Sequence, residues 1–270
     1  MLKNKKITFI GSGAIAEALV GGIIKAGLLL PSQITVCDIS PERRIHMETK
    51  FGVASSGDAS AAAPLADILF LTVKPQVIHT VLDSLTGVVP VTTTVISVVA
   101  GTVIDTLQQK LPQVPIVRVM PNTPVAVGEG MAAITLGKYA DEQAGELATM
   151  LFAAVGRTVM VAESAMDAVT GLSGSGPGYA YVMIDALADA GVRVGLPRTV
   201  AVTLAAQTLL GAARMVLETG EHPAKLRDMV TSPGGTTIAG IHVLEQNGVR
   251  AALIDAVVCA TERSREMGRH

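Results

Sequence analysis

Lys6-Ile7-Thr8-Phe9-Ile10-Gly11-Ser12-Gly13-Ala14-Ile15-Ala16 is the stretch on which the fold turns. Its short apolar run reads as a buried strand, and the glycines that follow free the backbone for a tight turn. Apolar residues then recur at helical spacing through Leu19, Ile23 and Ile24 to Gly27, a natural C-terminal stop. A strand, a glycine turn and a helix at the head of a βαβ unit form a dinucleotide-binding fingerprint. The turn lets the backbone approach a pyrophosphate, and the helix N-terminus favours its charge. Glycines that serve only close helix–strand packing are the simpler alternative, and the strand–helix context argues against it.

Outward from this unit, strands and helices alternate. Ile34–Cys37 is a strand ending at Asp38, and Ser40-Pro41-Glu42 opens the next helix. Further strands are read at Ile68–Val73, before Lys74-Pro75 and a helix, at Val95–Val99, before Ala100-Gly101, and at Ile116–Met120, before Pro121-Asn122-Thr123-Pro124. This alternation predicts an α/β Rossmann domain, a doubly wound and mainly parallel sheet with helices on both faces. Ligands on such a sheet bind beyond the carboxyl ends of its strands. That rule gathers Gly11–Ala16, Asp38, Val73-Lys74-Pro75, Ala100-Gly101 and Met120–Pro124 along one crevice. Asp38 suits an adenine-ribose diol and so NAD(H). Ser40, Arg43 and Arg44 suit a 2′-phosphate and so NADP(H), unless both arginines lie on a solvated helix face.

Near Ala162-Glu163-Ser164-Ala165 the alternation stops, and no strand is read from Met166 onward. The chain divides on this basis into a dinucleotide-binding domain, 1–162, and an all-α domain, 163–270. Tyr179–Val194 and Thr199–Leu217 read as long helices, apolar on most faces, followed by Pro223–Val230, Ile238–Asn247 and Arg250–Met267. Helices apolar all round must be buried on several sides, so a dimer with interdigitated helices is expected. Two Gly/Ser turns precede helices here, Gly171-Leu172-Ser173-Gly174-Ser175-Gly176-Pro177-Gly178 and Thr231-Ser232-Pro233-Gly234-Gly235-Thr236-Thr237. The second places glycines and threonines at a helix start, where free N–H groups receive a small anion such as a carboxylate.

Composition narrows the class. The 270 residues are 49% hydrophobic but only 3% aromatic and 16% charged, so the core is aliphatic. A mean hydropathy of +0.49 points to surface covered by another subunit. The net charge of −2, with no basic run, makes nucleic acid an unexpected partner. Lys3-Asn4-Lys5-Lys6 imitates a secretory signal, but Glu17 interrupts the apolar run. The longest apolar run, Val88–Ala100, is short of the ~20 residues of a membrane span. Two cysteines and five scattered histidines lack metal-ligand spacing, so buried thiols and a metal-free, cytoplasmic protein are expected.

These motifs resemble the pyrroline-5-carboxylate reductase family over essentially the whole chain. Its most specific parts here are Met120–Pro124, Gly171–Gly178 continuing to Pro197, and Thr231–Thr237. The resemblance implies a Rossmann domain, a helical domain that dimerises by interleaving, and dimers assembled into rings. It implies cofactor contacts at Gly11, Ser12, Gly13, Ala14 and Ile15 and at Val73, Lys74 and Pro75, with Ala100 near the nicotinamide. It also implies a substrate carboxylate on the N–H groups around Gly235 and Thr236, with Ser232 and Thr237 lining the pocket. Two positions depart from many relatives. Asp58-Ala59 stands where an Asp-Asn pair is usual, and Asp38 stands where NADP-preferring relatives have an Asn-Arg-Ser type of ending.

Reducing a cyclic imino acid to a secondary amine needs a hydride on the C=N carbon and a proton on nitrogen. A substrate bound as iminium is already protonated and electrophilic, so positioning is the main demand. No His or Lys acid marks the Thr231–Thr237 turn, and the Thr237 hydroxyl is the candidate for a bond to the imine nitrogen, directly or through water. Its alternative role is a helix cap. Rival readings are another NAD(P)-dependent imine or β-hydroxyacid oxidoreductase and a non-catalytic dinucleotide sensor. The former enzymes use a lysine on the interdomain helix, and Tyr179–Val194 has none. A sensor has no need of a second anion-binding turn.

Overall fold

A computed structural model describes Leu2 and residues 4–268. Eight strands form one sheet in the order β3-β2-β1-β4-β5-β6-β7-β8. They are β1 Ile7–Ile10, β2 Ile34–Cys37, β3 Ala54–Ser56, β4 Ile68–Leu71, β5 Thr94–Ser97, β6 Ile116–Pro121, β7 Gly130–Leu136 and β8 Gly156–Met160. All neighbours pair parallel except β6 and β7. The expected Rossmann sheet is present, with β1 and β4 adjacent at the point where strand order reverses. The expected strands end earlier than read at Val73 and Val99, because the chain leaves the sheet at Thr72 and Val98.

Sequence reading missed β3, β7 and β8. Residues of β3 are small and partly exposed, while β8 exposes Arg157, Val159 and Met160, so neither carries a buried-strand signature. β7 starts with Gly130-Met131-Ala132-Ala133, which lacks the Val/Ile density of the other strands.

Side chains of the central strands alternate between two cores. Phe9, Phe70, Ile96 and Val117 pack on one face, with α1 (Ala14–Lys25) and α6 (Glu142–Ala153). Ile10, Leu69, Leu71, Val95 and Ile116 pack on the other, with α4 (Ile78–Leu85) and α5 (Ile104–Lys110). Phe9 stacks on Phe70 with ring centroids 4.5 Å apart, across the β1–β4 pair. Both faces of these strands are buried, which is why they read as unbroken apolar runs. The helices α2 (Pro41–Phe51) and α3 (Ala59–Ala62) complete the β2–β4 side.

Two compact units emerge. One runs through Gly174 and regains the chain from Ala260 onward, and the other is Ser175–Cys259. The sequence boundary at 162/163 differs from this division. Residues 163–174, comprising a short turn, α7 (Met166–Val169) and a π-helical turn (Thr170–Gly174), pack with the sheet. The Asn122 amide donates to the Ser173 carbonyl (3.2 Å), and a Cβ on Gly174 would stand 2.8 Å from the Met120 methyl.

The second unit is helical, as expected, with α8 Gly176–Arg193, α9 Arg198–Thr219, α10 Pro223–Met229, α11 Thr236–Gln246 and the first part of α12 Val249–Met267. Its hydrophobic residues buried within the chain are Ala188, Ala201 and Ala205. Gly191 lets α8 and α9 meet closely, since a Cβ there would lie 2.8 Å from the Ala201 methyl. Tyr181, Val182, Leu204, Leu217, Val243 and Ile254 are exposed. α9 exceeds the Val88–Ala100 run. It is long and apolar enough by length and composition to cross a membrane, with a mean hydropathy of 1.6 and 11% of that window buried. Cys37 is buried as expected, and burial pushes its thiol pKa up, but Cys259 is exposed.

Candidate active site

The first turn is built by Gly11, whose φ of +95° suits glycine. A Cβ there would lie 2.9 Å from both the Thr72 carbonyl group and a Val73 methyl. The Gly11 N–H donates to the Cys37 carbonyl (2.7 Å), and the Thr72 hydroxyl donates to the Gly11 carbonyl (2.6 Å). The ends of β2, β1 and β4 are thereby fastened together. Gly13 stands at the N-cap of α1 without a side-chain cap, and no atom lies within 4 Å of where its Cβ would be. The N–H groups of Ala14 and Ile15 open the helix with no intrahelical partner, so a pyrophosphate has both space and donors here.

Asp38 closes the other side of this turn. One of its carboxylate oxygens accepts from the Ser12 N–H (2.8 Å) and the Ser12 hydroxyl (2.9 Å), and the other from the Ser40 N–H (2.9 Å). Burial opposes its ionisation, but the bonds from Ser40 and Ser12 and the nearby Arg43 charge outweigh it, holding the carboxyl below its ordinary pKa. Ser12 is fully buried, its N–H and hydroxyl both given to Asp38 and its carbonyl to Arg43, so it shapes the turn from beneath. Ser40 caps α2, its hydroxyl accepting from the Arg43 N–H (3.2 Å).

The two arginines are not a solvated face. Arg44 donates to the Asp38 carbonyl (2.7 Å). Arg43 reaches back to the Ser12 carbonyl (Nε, 3.0 Å) and to Glu17 (Nη2, 2.7 Å). The other Glu17 oxygen meets Lys50 (2.8 Å) and His46 (3.0 Å). Lys50, then Arg43 and His46, bring the Glu17 pKa down to about 2. Nothing in the sequence tied Glu17, read only as a break in the apolar run, to Arg43, or gave Thr72 its place under the glycine turn.

Along the same sheet edge, Val73, Lys74 and Pro75 follow β4, with Lys74 exposed, and half-buried Ala100 precedes Gly101 (φ +74°) in the turn after β5. α5 begins three residues later, and Glu163 accepts from its Ile104 N–H (2.7 Å) and from Arg118 on β6 (3.1 Å). Asn122 holds the end of β6, accepting from the Met131 N–H (2.8 Å) while donating to Ser173. Asp58 caps α3, accepting from the N–H groups of Ser60 and Ala61, and Ala59 beside it has no polar group to offer a cofactor.

The second turn lies in Ser175–Cys259. Gly234 has φ +65°, and the Gly235 N–H donates to the Ser232 carbonyl (3.0 Å), closing a four-residue turn around Pro233-Gly234. This engages the Gly235 N–H and leaves those of Thr236 and Thr237 to face an anion. A Cβ at Gly235 would press on the Ser232 hydroxyl. The N-cap of α11 is Gly235, with no side-chain cap, and Thr237 is its second residue. No hydrogen bond within the described residues occupies the Ser232, Thr236 or Thr237 hydroxyl. The second turn thus has free N–H donors and free hydroxyls in a few residues. Among the described residues no group of three His, Cys, Asp or Glu could hold a metal.

Comparison with known proteins bears on each part. Residues 163–267 match the family described as "Pyrroline-5-carboxylate reductase dimerisation", and residues 6–101 match "NADP oxidoreductase coenzyme F420-dependent". The chain is 46% identical to the pyrroline-5-carboxylate reductase of Methanosarcina acetivorans, over 99% of this chain and all of that one. It is 41% identical to that of Escherichia coli, over 98% and 99%. A solved pyrroline-5-carboxylate reductase from Coxiella burnetii superposes with a TM-score of 0.92 at 36% identity, over 98% and 99% of the two chains. One from Plasmodium falciparum, with NADP bound, gives 0.89 at 30%, over 99% and 100%. On full-length identity and fold alike, the chain belongs to the pyrroline-5-carboxylate reductase family.

Proposed function

We propose that the chain reduces L-1-pyrroline-5-carboxylate to L-proline by hydride transfer from NADPH or NADH, the last step of proline biosynthesis. The observation that carries this reading is the second turn. A chain that only sensed a dinucleotide would have no use for uncapped Thr236 and Thr237 N–H groups beside three free hydroxyls. Full-length relatives bearing this activity in their names support it, as does the NADP bound to the Plasmodium falciparum protein. α8 carries no lysine, which weighs against β-hydroxyacid oxidation.

In this reading the N–H groups of Gly13, Ala14 and Ile15 hold the pyrophosphate, while Gly11 and Ser12, expected as direct contacts, give their N–H groups to Cys37 and Asp38 and shape the turn beneath it. Asp38 and Ser40 meet the adenine ribose, Val73, Lys74 and Pro75 line the middle of the crevice, and Ala100 backs the nicotinamide. The reduced nicotinamide supplies hydride to the C=N carbon. The Thr236 and Thr237 N–H groups and the Ser232 hydroxyl orient the substrate carboxylate, and Gly235 leaves room for it. The Thr237 hydroxyl hydrogen-bonds the ring nitrogen, which keeps the iminium proton as the C=N electron pair becomes the nitrogen lone pair. Orientation, not a strong acid, is the enzyme's contribution.

The apolar surface of α8 to α12 is read as a subunit interface, not a membrane span, with dimers assembled into rings in the cytoplasm. Analytical ultracentrifugation at micromolar concentration tests the assembly, and an active monomer overturns it. The activity is tested by following NADPH and NADH oxidation with pyrroline-5-carboxylate. Turnover supports the assignment, and its absence in folded, cofactor-binding protein overturns it.

A further inference from the structure

We propose that Glu17 is a specificity-determining residue, which sets the NADPH/NADH preference by withholding the Arg43 guanidinium from the 2′ position of the adenine ribose. The proposal rests on the assignment of the glycine turn to a dinucleotide.

The 2′ substituent is read at the end of β2, where a carboxylate suits a diol and a guanidinium suits a phosphate. Asp38 occupies that place, and Arg43 is beside it. The Arg43 guanidinium grips the carbonyl of Ser12, the residue whose N–H and hydroxyl hold Asp38, and its charge acts on the Asp38 carboxylate. A small side-chain rotation therefore separates it from the 2′ position. Glu17 prevents that rotation. Its Oε2 takes Arg43 Nη2 at 2.7 Å, while Lys50 at 2.8 Å and His46 at 3.0 Å anchor Oε1 from the same helix. Arg44 is committed to the Asp38 carbonyl at 2.7 Å. A 2′-phosphate arriving here meets the Asp38 carboxylate and an arginine already neutralised by Glu17, and both disfavour it relative to a hydroxyl.

Removing the Glu17 charge leaves the Arg43 guanidinium, held then by the Ser12 carbonyl, with a positive charge no carboxylate of α1 compensates, the kind of group that binds phosphate. The test is calorimetric titration of NADPH and NADH into full-length wild type, Glu17→Gln, Arg43→Met and the double variant. Glu17→Gln should lower the ratio Kd(NADPH)/Kd(NADH) by about tenfold, the scale of one charge-assisted hydrogen bond. In the Arg43→Met background the same substitution should leave the ratio unchanged, because the arginine carries the effect. A general loosening of the glycine turn weakens both cofactors alike and does not move the ratio. Glu17→Asp, which keeps the charge but retracts it by one methylene, should shift the ratio in the same direction by less, and serves if the Gln variant does not fold. A ratio unchanged within about twofold, or one that falls equally without Arg43, overturns the proposal. Wild type that binds neither cofactor overturns the dinucleotide assignment itself, and the proposal with it.

Discussion

Glu163→Ala is the substitution for which the structure gives the firmest magnitude. Arg118 lies on β6 with its side chain 8% exposed, and its ion pair is with Glu163 at 3.1 Å. The same Glu163 oxygen caps the Ile104 N–H that opens α5. The Ala variant strands a buried guanidinium, which costs about 3–5 kcal/mol, and the lost cap is included in that range. At the few degrees per kcal/mol typical of chains this size, the melting temperature should drop on the order of 10 °C. Differential scanning calorimetry at one fixed protomer concentration is the assay, since an oligomer's melting point depends on concentration. Glu163→Gln keeps an acceptor for both donors and should lose less than half as much. Replacing both partners, Arg118→Met with Glu163→Met, should recover most of the loss, because no charge is left unpaired. A Glu163→Ala variant within about 1 kcal/mol of wild type would refute the reasoning by showing that Arg118 finds another partner.

Three further outcomes are expected. Thr237→Ala should lower kcat and kcat/KM together by on the order of tenfold, about 1.4 kcal/mol, while Thr237→Ser keeps most activity. Steady-state kinetics checks this, and an Ala variant with wild-type kcat removes the hydroxyl from the reaction. Asp38→Ala should weaken both cofactors, because Ser12 and Ser40 lose their acceptor, yet weaken NADPH less and so move the preference toward it. An unchanged ratio shows that Asp38 does not face the 2′ position. Glu17 and Asp38 both have folded pKa values below their ordinary ones, so their stabilisation is full above those ordinary values and disappears as pH falls. For Glu17 the loss runs from about 4.5 down to about 2. Lys50→Met should therefore shift the acid-unfolding midpoint, followed by circular dichroism, to higher pH.

The glycine turn was legible because its steric demand is local. Gly11 needs φ +95° beside Val73, and both requirements leave a trace in the residue type. The apolar helices were legible because α8 and α9 have no polar face to spare. The commitments of polar side chains were not. Arg43 and Glu17 are 26 positions apart, and whether the Arg43, Arg44 and Lys50 of α2 face water or an acidic residue on α1 depends on how the helices lie on the sheet. Edge strands β3 and β8 were invisible for a related reason. Pairing on one side only demands little apolarity, so residues such as Ser55 and Arg157 carry no strand signal. The Gly235 N–H, which reads as free at a glycine-rich helix start, is consumed by the turn that Pro233-Gly234 creates.

Initial-rate measurement of reduced-nicotinamide oxidation, with pyrroline-5-carboxylate against hydroxy- and keto-acid controls, tests the central claim most directly. Turnover with the cyclic imino acid, using NADPH and NADH, and none with the controls is the expected result. Folded protein that binds either cofactor but leaves the imino acid unreduced would contradict it.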